Sequence, residues 1–244
     1  MIRGMDLFEW IAAVPGRIVG INGPQGAGKT TLVRELVARA SAKGRHWVGI
    51  SIDDFYLTRA EQVALAGRFP DDPLAQVRGA PGTHDIALGV AVLDALGREA
   101  VEVPVYDKAA HGGKGDRAAV GPKIGGDVEK VLFEGWMLGF PSVGAKGRLA
   151  RVDALLPAYE PWVRRLAGML QLRVEDPAVV VRWRVEAEAR MRAEGRGGMS
   201  DTEAEAYVRR FLPFYEVYPE ALAARPPVPD WHRVMWVGED RRPR

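Results

Sequence analysis

Cysteine does not occur in this sequence, so neither a disulfide framework nor a thiolate metal site can exist. The composition suits a reducing compartment, and the cytoplasm is the expected location. Long apolar runs are lacking too: none approaches membrane-spanning length. The opening residues, MIRGMDLFEWIAAVPG, carry Asp6 and Glu9 inside their only apolar stretch, which the core of a signal peptide does not tolerate. No membrane partner is expected. An excess of one charge is also missing, with 34 basic residues against 32 acidic ones and a net charge of +2. The pI near 8.9 hints at nucleic acid, yet the arginines alternate with Glu in stretches such as RWRVEAEARMRAEG, a pattern of intrahelical ion pairing. No basic stripe with interleaved aromatics accompanies them, so no nucleic-acid partner is expected. Asparagine occurs once, at Asn22, which with the many arginines suits a thermostable or GC-rich source.

What is present is enough for one sizeable core: 244 residues, 47% of them hydrophobic. A single domain over residues 1–244 is expected. Residues 17–22 (RIVGIN) form a short apolar run between Pro15-Gly16 and a glycine-rich segment, which predicts a buried strand. From Thr30, apolar residues recur at helical spacing until Gly44, predicting a crossover helix. A second strand over 46–52 runs into Asp53-Asp54 and a third over 128–133 runs into Glu134-Gly135, with further strands expected over 169–174 and 232–237. In an open parallel sheet, ligands bind beyond the carboxyl ends of the strands, so these acids should face the same crevice as the first loop. Asp176-Pro177 predicts the start of a helix ending at Glu194. Ser200 with Glu203 forms a capping box for another, reaching about Leu212 before Pro213. Residues 195–199 and 109–126, rich in Gly, are expected to be flexible.

The strongest chemical signal is Gly23-Pro24-Gln25-Gly26-Ala27-Gly28-Lys29-Thr30, a full G-x-x-x-x-G-K-T match between a predicted strand and a predicted helix. The glycines let the backbone wrap phosphate, the N–H groups point inward at a helix N-terminus, Lys29 reaches the β- and γ-phosphates, and the Thr30 hydroxyl can hold Mg²⁺. Thr31 follows as part of the same nucleotide site. The chemistry implied is ATP binding. Glu134 stands at the strand end where such proteins keep an acid that holds the metal directly or through water. Asp53 and Asp54, as neighbours on an extended strand, should point to opposite faces, so one of them aims at the crevice. A carboxylate there suits a general base for an attacking hydroxyl, or a metal ligand.

Together, GINGPQGAGKTTL, SIDDFYLT, RGAPGTHD, PVYDK, GGKGDR, VLFEGWMLGF and RWRVEAEARMRAEG followed by RGGMSDTEAE resemble the D-glycerate 3-kinase family, relatives of uridine kinase, phosphoribulokinase and bacterial pantothenate kinase. The resemblance runs over about residues 17–218. It implies an α/β P-loop NTPase fold of three layers, with a mostly parallel central sheet and a helical lid. It also implies transfer from ATP, with Mg²⁺, to the 3-hydroxyl of D-glycerate. Asp53 then takes the base position, with Thr30, Asp53 and Glu134 around the metal. Arg184, Arg190 and Arg192 fall on the lid helix, where arginines close over the transferred group. For the small acceptor, Arg78, Lys108 and Arg117 are candidate carboxylate ligands, and Tyr56, His84, Asp85, Tyr106 and Asp107 candidates for its hydroxyls. Each has a plainer alternative: His84-Asp85 can cap a helix beginning near Ile86, and Arg78 can brace the Pro-Gly turn. The family pattern YDKSAYGGRGDR is altered at Ala109, His111 and Lys114, and the following segment is shorter and lacks a Trp. Two other functions fit the same ATP-side residues, a kinase for a nucleoside or pantothenate-like alcohol and a non-catalytic ATP-binding module.

Overall fold

The computed structural model describes residues 5–195 and 198–244. Its centre is β1, Ile18–Asn22, with all five residues buried. Around it lie β2 (Trp47–Ser51), β3 (Lys130–Gly135), β4 (Leu166–Arg173) and β5 (His232–Trp236), in the order β2-β3-β1-β4-β5 with every pairing parallel. A strand inside such a sheet is covered on both faces, which is why IVGIN and VLF run apolar without alternating. The register aligns Ile21 with Glu134 and Ser51 with Glu134, so the carboxyl ends of β1, β2 and β3 are level. That edge carries the glycine-rich loop, the Asp53 turn and Glu134, as expected for an open parallel sheet.

The helices form the outer layers: α1 (Leu7–Ala13), α2 (Lys29–Ala42), α3 (Arg59–Arg68), α4 (Ile86–Ala95), α5 (Ala150–Leu155), α6 (Glu160–Val163), α7 (Val179–Ala193), α8 (Asp201–Arg209) and α9 (Leu212–Ala224). None of those described is long and apolar enough to cross a membrane. Of these, α1 is a core helix, capped by Asp6 and burying Phe8, Trp10 and Ile11. Two tryptophans anchor aromatic clusters in the core. Trp162 packs among Phe55, Phe133 and Tyr159, and Trp136 among Phe211, Phe214 and Tyr215.

Three local expectations are corrected. The chain leaves β2 at Ser51, and Ile52–Phe55 is a 3-10 turn, so Asp53 and Asp54 are not alternating strand residues. The cause is a capping box: the Ser51 hydroxyl accepts from the Asp53 N–H, while Asp54 accepts from the Ser51 N–H at 3.3 Å. The helix capped by Ser200 and Glu203 ends at Arg209, short of Leu212, and Pro213 lies in the first turn of a separate helix, α9. Proline costs nothing there, because a first-turn N–H has no helical partner. Finally, Asp176 accepts from the Ala178 N–H at 2.8 Å in a tight turn that precedes α7. Residues 109–126 join two short antiparallel ladders, Tyr106–Asp107 with Asp116–Arg117 and Val101–Glu102 with Lys123–Ile124. Of the predicted hinge over 195–199, residues 196–197 lie outside the described residues.

Candidate active site

The glycine-rich loop bridges β1 and α2 as the sequence requires. Gly26 and Gly28 have φ of +79° and +87°, values that L side chains rarely adopt, and Gly28 is the N-cap of α2 with no side chain satisfying that terminus. The first-turn N–H groups of α2 and the helix dipole at this end suit a phosphate group. Lys29 opens α2 with only 8% of its surface exposed. Its amine donates to the carbonyls of Gly23 (2.8 Å) and Pro24 (3.1 Å) at the floor of the cleft. Burial lowers its pKa, and the charges of Glu134 and Asp53 pull the other way.

The Thr30 hydroxyl donates to Glu134 Oε1 at 2.8 Å, which joins the first turn of α2 to the end of β3. Both are hard oxygen donors, and their few protein ligands fit Mg²⁺, which keeps several waters and shares substrate phosphate oxygens. Among the described residues no three His, Asp or Glu side chains gather into a metal cage. A Mg²⁺ completed by phosphate oxygens needs none.

Asp53 lies across the cleft and is held by two donors: Tyr56 Oη to Oδ1 at 2.7 Å and Lys108 Nζ to Oδ2 at 2.6 Å. Burial opposes its ionisation, but the charge and hydrogen bond of Lys108 and the Tyr56 hydroxyl outweigh that, and its pKa falls well below the usual carboxylate range. The charge of Asp53 in turn raises the Lys108 pKa. Asp54 is different: burial pushes its pKa up to about 6. Its carboxylate serves the turn while Asp53 faces the cleft.

The cleft, about 680 Å³ of empty space, brings together Gln25, Gly26, Lys29 and Thr30 with Asp53, Tyr56, Arg78, Lys108 and Glu134. Arg78 Nη1 donates to the carbonyls of Gly113 (2.9 Å) and Lys114 (2.6 Å), and its guanidinium lies 5.5 Å from the Tyr106 ring centre. It therefore shapes the loop that carries Lys108. Other candidates stand behind the wall. His84, 5% exposed, pairs Nδ1 with Tyr159 Oη at 2.8 Å and packs on Tyr56, and burial drives its pKa down to about 3. Asp85 caps α4 through the Leu88 N–H. Arg117 Nη2 donates to the Tyr56 carbonyl at 3.0 Å and lies 3.4 Å from Asp85. Tyr106 is buried against Tyr56, and Asp107 accepts from the N–H groups of Ala109 and Ala110 in an exposed turn. None of these five lines the cleft.

Among the lid arginines, Arg184 lines the cleft, pairing with Glu188 at 2.5 Å. Arg190 is exposed, and Arg192 reaches Asp201 at 2.5 Å, tying α7 to α8. Neither lines the cleft in this conformation. Sequence reasoning missed Trp136 and Tyr207, which do. Trp136 directly follows Glu134-Gly135, so adjacency to the motif was a usable signal; Tyr207 carries none, being brought in by α8. Tyr215, which accepts from the Gln25 N–H at 3.1 Å, is likewise reached only through α9.

No protein-family profile matches the chain. It is 38% identical, over 247 aligned residues, to a chloroplastic D-glycerate 3-kinase of Arabidopsis thaliana, covering 94% of this chain and 54% of that one. The chain thus spans about half the length of that relative. It is also 38% identical over 225 residues to an uncharacterized kinase, mug58, of Schizosaccharomyces pombe, covering 82% of this chain and 80% of that one. A solved D-glycerate 3-kinase from Cryptococcus neoformans var. grubii superposes with a TM-score of 0.84 at 26% identity, covering 97% and 95% of the two chains.

Proposed function

The chain belongs to the D-glycerate 3-kinase family, and from that premise we propose that it phosphorylates the 3-hydroxyl of D-glycerate with ATP and Mg²⁺, yielding 3-phosphoglycerate and ADP. The observation that carries this reading is one cleft holding a P-loop lysine, a paired Thr30 and Glu134, and a carboxylate, Asp53, bound to the ammonium of Lys108.

The loop amides and Lys29 hold the β- and γ-phosphates. Thr30 and Glu134, with Asp53 as a further candidate, would hold Mg²⁺, which when bound supplies positive charge opposite the phosphate oxygens. Asp53 takes the proton of the acceptor hydroxyl as that oxygen bonds to the γ-phosphorus. The bond from that phosphorus to the bridging oxygen breaks, and ADP leaves with the electron pair. Lys108 donates to one oxygen of Asp53 and lowers its basicity, so a shift of Lys108 makes Asp53 a stronger base. The carboxylate of glycerate offers Lys108 another anion, which couples acceptor binding to release of the base. Arg78 orients the loop through its carbonyl contacts. Arg184 supplies positive charge from α7. Arg190 and Arg192 join only if α7 and α8 close, which requires Arg192 to leave Asp201. The partner is a small molecule, and a cytoplasmic setting is supported by the cysteine-free composition.

The test is coupled ADP release with Mg-ATP and D-glycerate, L-glycerate, pantothenate, uridine or ribulose 5-phosphate, against a control without acceptor. Turnover confined to D-glycerate supports the assignment. Turnover with another alcohol replaces the acceptor, and ATP binding without acceptor-dependent ADP release removes the kinase reading.

A further inference from the structure

Two non-glycine residues among those described have positive φ, His111 and Arg241, the latter at +65°. A bulky side chain in that region marks a conformation the surroundings impose. At Arg241 the imposing structure is a tight hairpin after β5: Gly238 N–H donates to the Arg242 carbonyl, Arg241 N–H to the Gly238 carbonyl and Arg244 N–H to the Trp236 carbonyl, each at 2.9 Å. The guanidinium so placed makes three contacts. Nε donates to the Gly26 carbonyl at 3.0 Å, Nη2 donates to Glu186 Oε2 at 2.7 Å, and the group lies 5.4 Å from the centre of the Trp183 ring. One side chain therefore joins the C-terminal hairpin, the phosphate loop and α7. A second link runs in parallel, because Trp183 Nε1 donates to the Glu239 carbonyl at 2.8 Å and a Cβ on Gly26 would lie 2.7 Å from the Cβ of Trp183.

Arg241 does not line the cleft, so it grips the Gly26 carbonyl from outside. A phosphate cradle works only with its N–H groups turned inward and its carbonyls turned out. We infer that Arg241 is a positioning residue for the nucleotide: it holds the Gly26 carbonyl away from the phosphates and sets α7, with Arg184, against the same loop. This rests on the kinase reading and adds a requirement that the Walker motif does not contain, an arginine more than two hundred residues from the loop it organises.

The experiment measures binding of a non-hydrolysable Mg-ATP analogue calorimetrically, with thermal melts and steady-state kinetics, for the wild type, Arg241→Gly and Arg241→Lys. Glycine removes the guanidinium while relaxing the positive φ, which offsets part of the lost contact energy, and the melt checks that the fold is retained. The expected result for Arg241→Gly is a rise of about fivefold in the analogue's Kd and in KM for ATP, the scale of one partly exposed charge-assisted hydrogen bond, with KM for the acceptor unchanged. Arg241→Lys, whose single ammonium cannot serve Gly26 and Glu186 together, should fall between the two. Analogue affinity in Arg241→Gly equal to wild type, with the fold intact, overturns the inference and leaves the kinase reading standing. A wild type that binds no nucleotide overturns both.

Discussion

Replacing Asp53 by Asn removes a charge while changing little shape. The Asn carbonyl can accept from Lys108 and its amide can donate to the Tyr56 hydroxyl, which rotates to accept. The 3-10 turn keeps its capping box, because that depends on Ser51 and Asp54. On the proposed mechanism, what disappears is the proton acceptor, a role worth about 10²–10⁴-fold in kcat, or about 3–5 kcal/mol of barrier. On the same proposal Mg-ATP is held mainly by the loop amides, Lys29, Thr30 and Glu134, so the Kd should move by less than about threefold, under 0.7 kcal/mol. The assay pairs acceptor-dependent ADP release with separate calorimetry of nucleotide binding. Lys108 and Tyr56 hold Asp53 ionised, so the wild type should show no loss of kcat/KM through Asp53 protonation above about pH 5. A fall in kcat of less than tenfold, with nucleotide affinity unchanged, refutes Asp53 as the base.

Gly26→Ala should weaken nucleotide binding and lower Tm by several degrees: the new Cβ meets Trp183 at 2.7 Å, and a positive φ costs an L residue about 1–2 kcal/mol; an unchanged melt would count against the rigid packing of loop on helix. Glu134→Gln preserves an acceptor for Thr30 but removes the charge, so the Mg²⁺ concentration for half-maximal rate should rise about 10–100-fold in a titration at fixed ATP. His84 is buried neutral with a pKa near 3, whereas in the unfolded chain it titrates near 6.5. Between these values the unfolded state binds the extra proton, so stability is complete above pH 6.5 and falls on acidification, by at most about 1.4 kcal/mol per pH unit. Denaturant melts of wild type and His84→Gln should diverge in that window, the variant showing the flatter profile.

Much of the frame is legible in the residues alone. Apolar runs that end in Gly-rich or acidic residues mark β1, β2 and β3, and the Walker spacing specifies the loop down to the glycines at positive φ. The Ser200 and Asp85 caps are equally local, since a cap involves groups within one helical turn. The Asp53 turn shows where local pattern misleads: an apolar run predicts alternation past Ser51, where a capping box ends the strand.

The glycine-rich loop, the strand positions and the acids at their ends can thus be read from short stretches, because each depends on neighbours within a few residues. Which candidates meet depends on how the chain folds back on itself. That folding set Lys108 on Asp53 and Arg184 in the cleft, and it moved Arg117, Asp85 and His84 into the wall that supports Tyr56. It also delivered Trp136, Tyr207, Tyr215 and Arg241 from elements far along the chain. Those contacts depend on how helices pack across the sheet, and packing is a property of the assembled core, carried by no short stretch of residues.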